Sequence, residues 1–397
     1  MSTIKYLNYG TLKADPTHLI CFSHLRWNFV YQRPQHLLAR FAKKYKVFYV
    51  EEPVFNDDKS FLQFSTPAEN VLVITPNLKA TEDSSTAQNI LLADLFQSHN
   101  IKNYIFWYYT PMALTISDHF KPDLVVYDCM DELSNFKFAP PELKTLEEEL
   151  FNKADIVFTG GHNLYQAKKN CHDNIYAFPS SIDKEHFLKA RKKINDPGDQ
   201  DTIGYPRFGF YGVVDERFDI ELLREVSSRK PEWQFVIIGP VVKIDPATLP
   251  ASDNIHYLGN KSYDELPAYL ANWSVALIPF MLNDSTLYIS PTKTPEYLAA
   301  GKPVISSSIK DVVSPYGING LVHIADDADT FIQKAEMELA SKNSRVWLKK
   351  VDEFLADISW DKTWARMNGL IESTANEKAV KDSKVRDLNA TQKVAYV

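Results

Sequence analysis

Cysteine is scarce: Cys21, Cys129 and Cys171 are the only three in 397 residues, far apart and without a Cys-x-x-Cys pair. That count leaves no room for a disulfide framework or a zinc knuckle, and a reducing cytoplasm is the expectation. Long apolar runs are missing too. The nearest, YLANWSVALIPFML, is interrupted by Asn272 and Pro279, short of the roughly 20 residues a membrane span requires. The opening MSTIKYLNYG has no apolar core before its charges, so no export signal is expected. Excess positive charge is also absent: 44 Lys plus Arg against 51 Asp plus Glu give a net charge of −7, the wrong sign for a chain that lives on phosphate backbones. A nucleic-acid partner is therefore not expected. Finally, neither G-x-G-x-x-G nor G-x-x-x-x-G-K-[ST] occurs, which argues against a dinucleotide cofactor and a P-loop nucleotide.

What is present is a regular alternation. HLICFS (18–23), KVFYV (46–50), NVLVI (70–74), NYIFWYY (103–109), DLVVY (123–127) and DIVFTG (155–160) are separated by helix-length segments such as PQHLLARFAKK and PELKTLEEELFNKA. Runs this apolar predict a parallel sheet covered by helices on both faces. A second series, RFGFYG, QFVIIGP, NIHYLG, SVALIPF, KPVISSS and GLVHIA, follows residue 206 and predicts a second Rossmann-like unit. RKKINDPGDQDTIGYPR, rich in Asp, Gly, Pro and Lys, has the composition of a linker. The expected organisation is a first domain over 1–187, a linker over 188–206, a second domain over 207–358 and a C-terminal helix and tail over 359–397. Trp360, Trp364, Met367 and Ile371 form one helical stripe, with Ser359 or Asp361 as its cap; the polar tail from about Asn376 has no clear period and is expected to be frayed or loosely held.

In α/β sheets ligands gather where strands end and helix N-termini offer N–H groups. STLYISPTKTPEYLAAGKPVISSS (285–308) places a Ser, Pro and Thr loop before a helix, with Lys293 adding a cation and Glu296 a carboxylate one turn in. Donors plus a lysine suit a diphosphate, and a carboxylate suits a ribose diol. The bland alternatives are a solvated Lys293 and a Glu296 that only complements the helix.

TPEYLAAGKPVISS resembles the donor-site signature of nucleotide-sugar glycosyltransferases of the two-Rossmann GT-B class, particularly the retaining group 1 (family 4) members. FGFYGVVDERFD, HYLGNKSYDELPAYLANWSVALIPF, ADIVFTGGHNLY and NIYAFPSSIDKEHF agree in order and spacing. The resemblance implies a cleft between two domains, the C-terminal helix crossing back to the first, and a nucleotide diphosphate sugar, UDP- or GDP-linked, as donor. By it, Gly212, Val213, Gly239, Pro240, Gly259, Asn260, Tyr288, Ser290, Pro291, Thr292, Lys293 and Glu296 hold the donor, and Lys293, Arg217 and Glu296 are the catalytic candidates. Where retaining relatives carry a first glutamate this chain has Tyr288, and where they read Pro-Asn-Gly it has Ser180 and Ser181.

SHLRWNFVYQRPQHLLAR (23–40) resembles a bacterial cell-surface polysaccharide subgroup and offers Arg26, Trp27, Arg33 and His36 to an acceptor, as an aromatic face and guanidinium forks would suit a glycan or a polyprenyl-diphosphate-linked substrate. The alternative is a helix entry with a buried tryptophan and paired arginines. Asp128 and Asp131 follow a strand and are read as caps or sugar contacts ahead of metal ligands; His162 is either a sugar contact or structural. Asp327-Ala328-Asp329 has the spacing of a metal-binding Asp-x-Asp, but sits where a helix start wants acids, and Asp199-Gln200-Asp201 is weaker still. No metal and no cofactor are expected. Sugar-nucleotide epimerase, phosphorylase and non-catalytic sugar-nucleotide-binding scaffold are the alternatives, and the basic clusters Lys43, Lys44, Lys46 and Lys189, Arg191, Lys192, Lys193 raise peripheral contact with the inner face of the membrane.

Overall fold

Residues 17–341 and 344–394 are described by a computed structural model. The opening MSTIKYLNYG and the last three residues, 395–397, lie outside that range. Nine strands build the first sheet: β1 (His18–Ser23), β2 (Lys46–Glu51), β3 (Val54–Asn56), β4 (Phe61–Ala68), β5 (Val71–Lys79), β6 (Tyr104–Tyr108), β7 (Leu124–Cys129), β8 (Ile156–Thr159) and β9 (Ile175–Ala177), in the order β3-β5-β2-β1-β6-β7-β8-β9 with β4 on β5. Successive residues of a strand feed opposite layers, Leu19 and Cys21 one core and Ile20 and Phe22 the other, which is why the strands read as unbroken apolar runs.

One expectation needs correction. The sheet is not wholly parallel, because β4 folds back antiparallel on β5 through Glu69 and Asn70, the latter at φ 58°. β4 is exposed along most of its length, so it lacks the run of buried apolar residues that marks strands such as β1 and β6.

Six strands make the second sheet, all parallel: β10 (Arg207–Tyr211), β11 (Gln234–Ile238), β12 (Ile255–Tyr257), β13 (Val275–Ile278), β14 (Val304–Ser306) and β15 (His323–Ile324), ordered β12-β11-β10-β13-β14-β15. Strand order reverses beside β10 here and beside β1 in the first sheet, and the crevice at such a reversal is where doubly wound folds bind ligands.

The segment with linker composition is fastened down. Arg207, 1% exposed, reaches Asp196 at 2.8 Å and the Gln200 carbonyl at 3.0 Å, and the Trp273 indole donates to Gln200 at 2.9 Å. Asp327 caps the helix Ala328–Ala340, accepting from the Thr330 amide at 2.8 Å.

The chain crosses twice between the sheets, and the crossings meet where the Trp360 amide donates to the Ile182 carbonyl at 3.0 Å. Ser359 supplies the cap expected of it, its Oγ accepting from the Lys362 amide at 3.2 Å. The helix Trp360–Val394 returns to the first domain, burying Trp360, Met367 and Ile371 in its core. Asp361 pairs with Arg40 instead of capping. Past Asn376 the helix continues to Val394, and Lys378 bonds Asp155 at 2.7 Å.

Candidate functional site

A cavity of about 470 Å³ lies between the strand ends of the two sheets. Its floor is built by glycine. Gly212 follows β10 at φ 138°, and a Cβ there would stand 2.3 Å from Lys293 Cε and 2.7 Å from Nζ. Gly239, at φ 135°, would place a Cβ 1.9 Å from the Gly212 carbonyl oxygen. The two loops therefore nest backbone on backbone, leaving a slot that the Lys293 side chain fills.

Lys293 opens the helix Lys293–Ala299 and holds its ammonium 5.5 Å from the centre of the Phe210 ring and 5.7 Å from that of Phe280. Burial, with the Arg217 guanidinium beside it, pulls its pKa below the usual lysine range. Glu296, one turn on and 3% exposed, accepts the Tyr211 hydroxyl at 2.5 Å. Burial pushes its carboxyl up, while Tyr211 and Lys293 hold it back. Arg217 is fixed by both oxygens of Asp215, at 2.6 to 3.2 Å, and its guanidinium stands 5.3 Å from the centre of the Phe136 ring. Two cations and a bonded carboxylate thus converge beneath β10 and β13. The Tyr263 hydroxyl, buried on the same wall, has no partner, an atom that a ligand would satisfy.

Of the residues expected to hold a donor, Gly212, Val213, Asn260, Ser290, Pro291, Thr292, Lys293 and Glu296 line this cavity, as does Arg217. Gly239, Pro240 and Gly259 are not among the lining residues: the Gly239 amide donates to the Gly259 carbonyl at 2.8 Å, and the Pro240 carbonyl accepts from the Val214 amide at 3.0 Å, while Gly259 is exposed. Tyr288 turns away altogether and packs against the core of the first domain.

The loop around Tyr288 is tied to that domain throughout. Asn163 Nδ2 donates to the Leu287 carbonyl at 2.6 Å, Asn135 Nδ2 to the Asp284 carbonyl at 3.0 Å and Ser180 Oγ to the Ser290 carbonyl at 2.5 Å. Ser180 thus anchors the loop before Lys293.

On the first-domain wall, Trp27, Arg33 and Asp131 line the cavity, but two of them are otherwise engaged. The Trp27 ring, 8% exposed, packs edge-on against Tyr49 at 5.0 Å within the core, so its face is not free for a sugar. Arg33 spends its fork on Asp128, at 2.8 to 3.1 Å, and on the Phe178 carbonyl at 2.7 Å; Asp128, fully buried, neither caps a helix nor faces the cavity. Arg26 clamps Glu51 and the Glu52 carbonyl behind the wall. His36 is stacked on Trp360 at 4.7 Å and 12° and is structural. His162 lines a separate cavity of about 220 Å³ by the chain crossings, its amide donating to Asp311. Asp131 alone of the group remains a free carboxylate at the cleft, and burial, with Asp215 and Asp128 nearby, pushes it up to about 6 against the pull of Arg217 and Arg33.

Several lining residues were not foreseen. Tyr211 and Phe280 end or follow strands of the second sheet, and that position beside the strand-order reversal was the available signal. Tyr31 and Tyr263 stack across the cleft at 4.5 Å, a pairing of residues 232 apart that no local pattern reveals.

Comparison with known proteins agrees with this geometry. Residues 206–340 match the sequence model of the family described as Glycosyl transferases group 1. The chain is 24% identical over 228 residues to the putative teichuronic acid biosynthesis glycosyltransferase TuaH of Bacillus subtilis (strain 168), a match covering 53% of this chain and 57% of that protein, so the chain spans little more than half of its curated relative. Among solved structures, sucrose-phosphate synthase from Thermosynechococcus elongatus superimposes with a TM-score of 0.65 at 13% identity, over 90% of this chain and 98% of that one. Anabaena Alr3699/HepE, in complex with UDP and glucose, does so at 0.64 and 13%, over 90% and 100%. Residues 206–340 are accordingly similar to the group 1 glycosyl transferase family, on a chain with the two-Rossmann GT-B fold of these structures.

Proposed function

We propose that this chain is a glycosyltransferase of surface polysaccharide synthesis, moving a sugar from a UDP- or GDP-linked donor to a glycan or lipid-linked acceptor. The observation that carries the reading is the convergence of Lys293 and Arg217 on one cavity, with Glu296 held by Tyr211 at its side. The donor lies on residues 207–358, its diphosphate on the two cations and its ribose on Glu296; the acceptor lies on residues 1–187. The Anabaena structure, described with UDP and glucose, favours a uridine donor.

In the transfer the bond from the anomeric carbon to the phosphate oxygen breaks, and the acceptor hydroxyl oxygen bonds to that carbon. The hydroxyl proton passes to the departing diphosphate. Charge growing on that leaving group meets Lys293 and Arg217 already in place, which is where fixed electrostatics lower a barrier. Retention of the anomeric configuration rests on the resemblance of TPEYLAAGKPVISS. Asp131, at the acceptor side, receives a hydrogen bond from the acceptor. The reading includes no metal or cofactor, because the two cations meet the phosphate charge and Asp327 is engaged in capping. It places the protein in the cytoplasm or on the inner face of the membrane.

Thermal unfolding with UDP, GDP, ADP, CMP and dTDP, on the natural chain, Lys293→Ala and Glu296→Ala, tests the donor site. A nucleotide at 100 times its Kd stabilises by about 2.7 kcal/mol. One nucleotide should raise the midpoint of the natural chain and raise that of Lys293→Ala clearly less. Because Lys293 loses its proton earlier than an ordinary lysine, that gain should also shrink as pH rises above neutrality. No shift with any nucleotide would overturn the reading and leave the fold untouched.

A further inference from the structure

A second cavity, of about 480 Å³, adjoins the first and shares Phe29, Gln32, Met130, Asp131, Val213 and Arg217 with it. Its chemistry is different. Beyond the shared residues its wall is made largely by Met112, Leu133, Phe136, Phe138, Pro140 and Leu143, none of which offers a side-chain hydrogen bond to a sugar hydroxyl. Its polar lining adds His24, Glu52, Thr110, Asp215, which is tied to Arg217, and the lysines Lys137 and Lys243; both lysines stand over apolar rings of the wall, Lys137 Nζ 5.1 Å from the centre of the Phe138 ring and Lys243 Nζ 5.3 Å from that of Phe136.

Backbone conformation marks the same place. Among the described residues, four other than glycine have positive φ; two are asparagines, which tolerate it, and the others are Phe138 at 67° and Lys243 at 61°. Both bulky cases line this cavity. The Phe138 ring is 77% exposed, so no core packing is gained by holding it there. Left-handed backbone at non-glycine residues concentrates at ligand clamps.

We propose that this second cavity takes the apolar chain of an amphiphilic acceptor, whose phosphate lies between Lys137 and Lys243 and whose acceptor hydroxyl reaches Asp131 at the junction with the donor cavity. The inference rests on the glycosyltransferase reading and selects a lipid-linked acceptor over a free glycan. A chain over Phe136 and Phe138 buries apolar area that the open cavity leaves wet, while the two lysines meet the charge that joins chain to sugar.

The test uses the full chain, saturated with whichever nucleotide stabilises it, and follows binding of farnesyl diphosphate by calorimetry against inorganic diphosphate. Farnesyl diphosphate should bind at least about tenfold more tightly than diphosphate, and Phe138→Ala and Lys137→Ala should each weaken it severalfold. Both side chains are exposed, and unfolding midpoints without ligand check that the variants fold. Equal affinity for the two probes, displacement of farnesyl diphosphate by the nucleotide, or unchanged affinity in both variants would overturn the proposal. So would flotation with isoprenoid-free anionic vesicles that is lost in Phe138→Ala while farnesyl diphosphate binds no better than diphosphate, because the rings would then serve a membrane surface. The nucleotide shift on the natural chain is read in the same preparation. If it persists while farnesyl diphosphate fails, only the acceptor inference falls.

Discussion

Gly212→Ala puts the construction of the site to a quantitative test. The added Cβ would meet Lys293 Cε at 2.3 Å and Nζ at 2.7 Å, while the next atom, of Phe210, is 3.4 Å away. The clash therefore falls on the far end of a flexible side chain, and Lys293 yields by leaving its slot. The backbone at φ 138° adds about 1–3 kcal/mol of strain, which a domain stable by about 5–15 kcal/mol tolerates. Binding is affected more than folding. A charge-assisted contact of the kind Lys293 offers a diphosphate is worth about 1.5–3 kcal/mol, so the nucleotide Kd should rise roughly 10- to 150-fold. The double variant Gly212→Ala with Lys293→Ala should bind no worse than Lys293→Ala alone, since both changes remove the same ammonium. Calorimetric titration of the three variants decides. Losses that add in the double variant, or a folded Gly212→Ala that binds within threefold of the natural chain, would refute the argument.

Two further outcomes follow from buried charges. Asp131 titrates near 6 when folded and near about 4 when unfolded, so its contribution to stability is fully present below pH 4 and is lost as pH rises through 6. Asp131→Asn should accordingly raise the unfolding midpoint more at about pH 7.5 than at about pH 4, and a gain equal at both would contradict the assignment. Arg33→Leu leaves Asp128 buried without its partner and should cost about 3–5 kcal/mol in urea unfolding, whereas replacing both residues by apolar ones should recover most of that loss.

How much was legible in the sequence follows from where burial is complete. Strands covered on both faces, such as β1, β10 and β13, stand out as apolar runs, whereas β3 and β4 are short or largely exposed and carry no such mark. That Lys293, Glu296 and Arg217 line one cavity was legible because strand ends and the resemblance point to the same loops. For Arg33 the sequence left open both an acceptor contact and pairing with an acid; its partner Asp128 could not be named because the two meet across 95 residues. Tyr288 was misplaced for a related reason: alignment gives its position along the chain, while packing sends its ring into the other domain.

The anchoring of residues 284–290 to the first domain bears on how such proteins diversify. A chimera joining residues 207–358 to a foreign first half would inherit six strands, Lys293 and Arg217, yet lose Asn135, Asn163 and Ser180, on which the loop before Lys293 is hung. Residues 207–358 are therefore not a cassette that can be exchanged alone. A new first half must bring its own pegs for that loop, and lineages that trade halves are expected to change those three positions together with Tyr288.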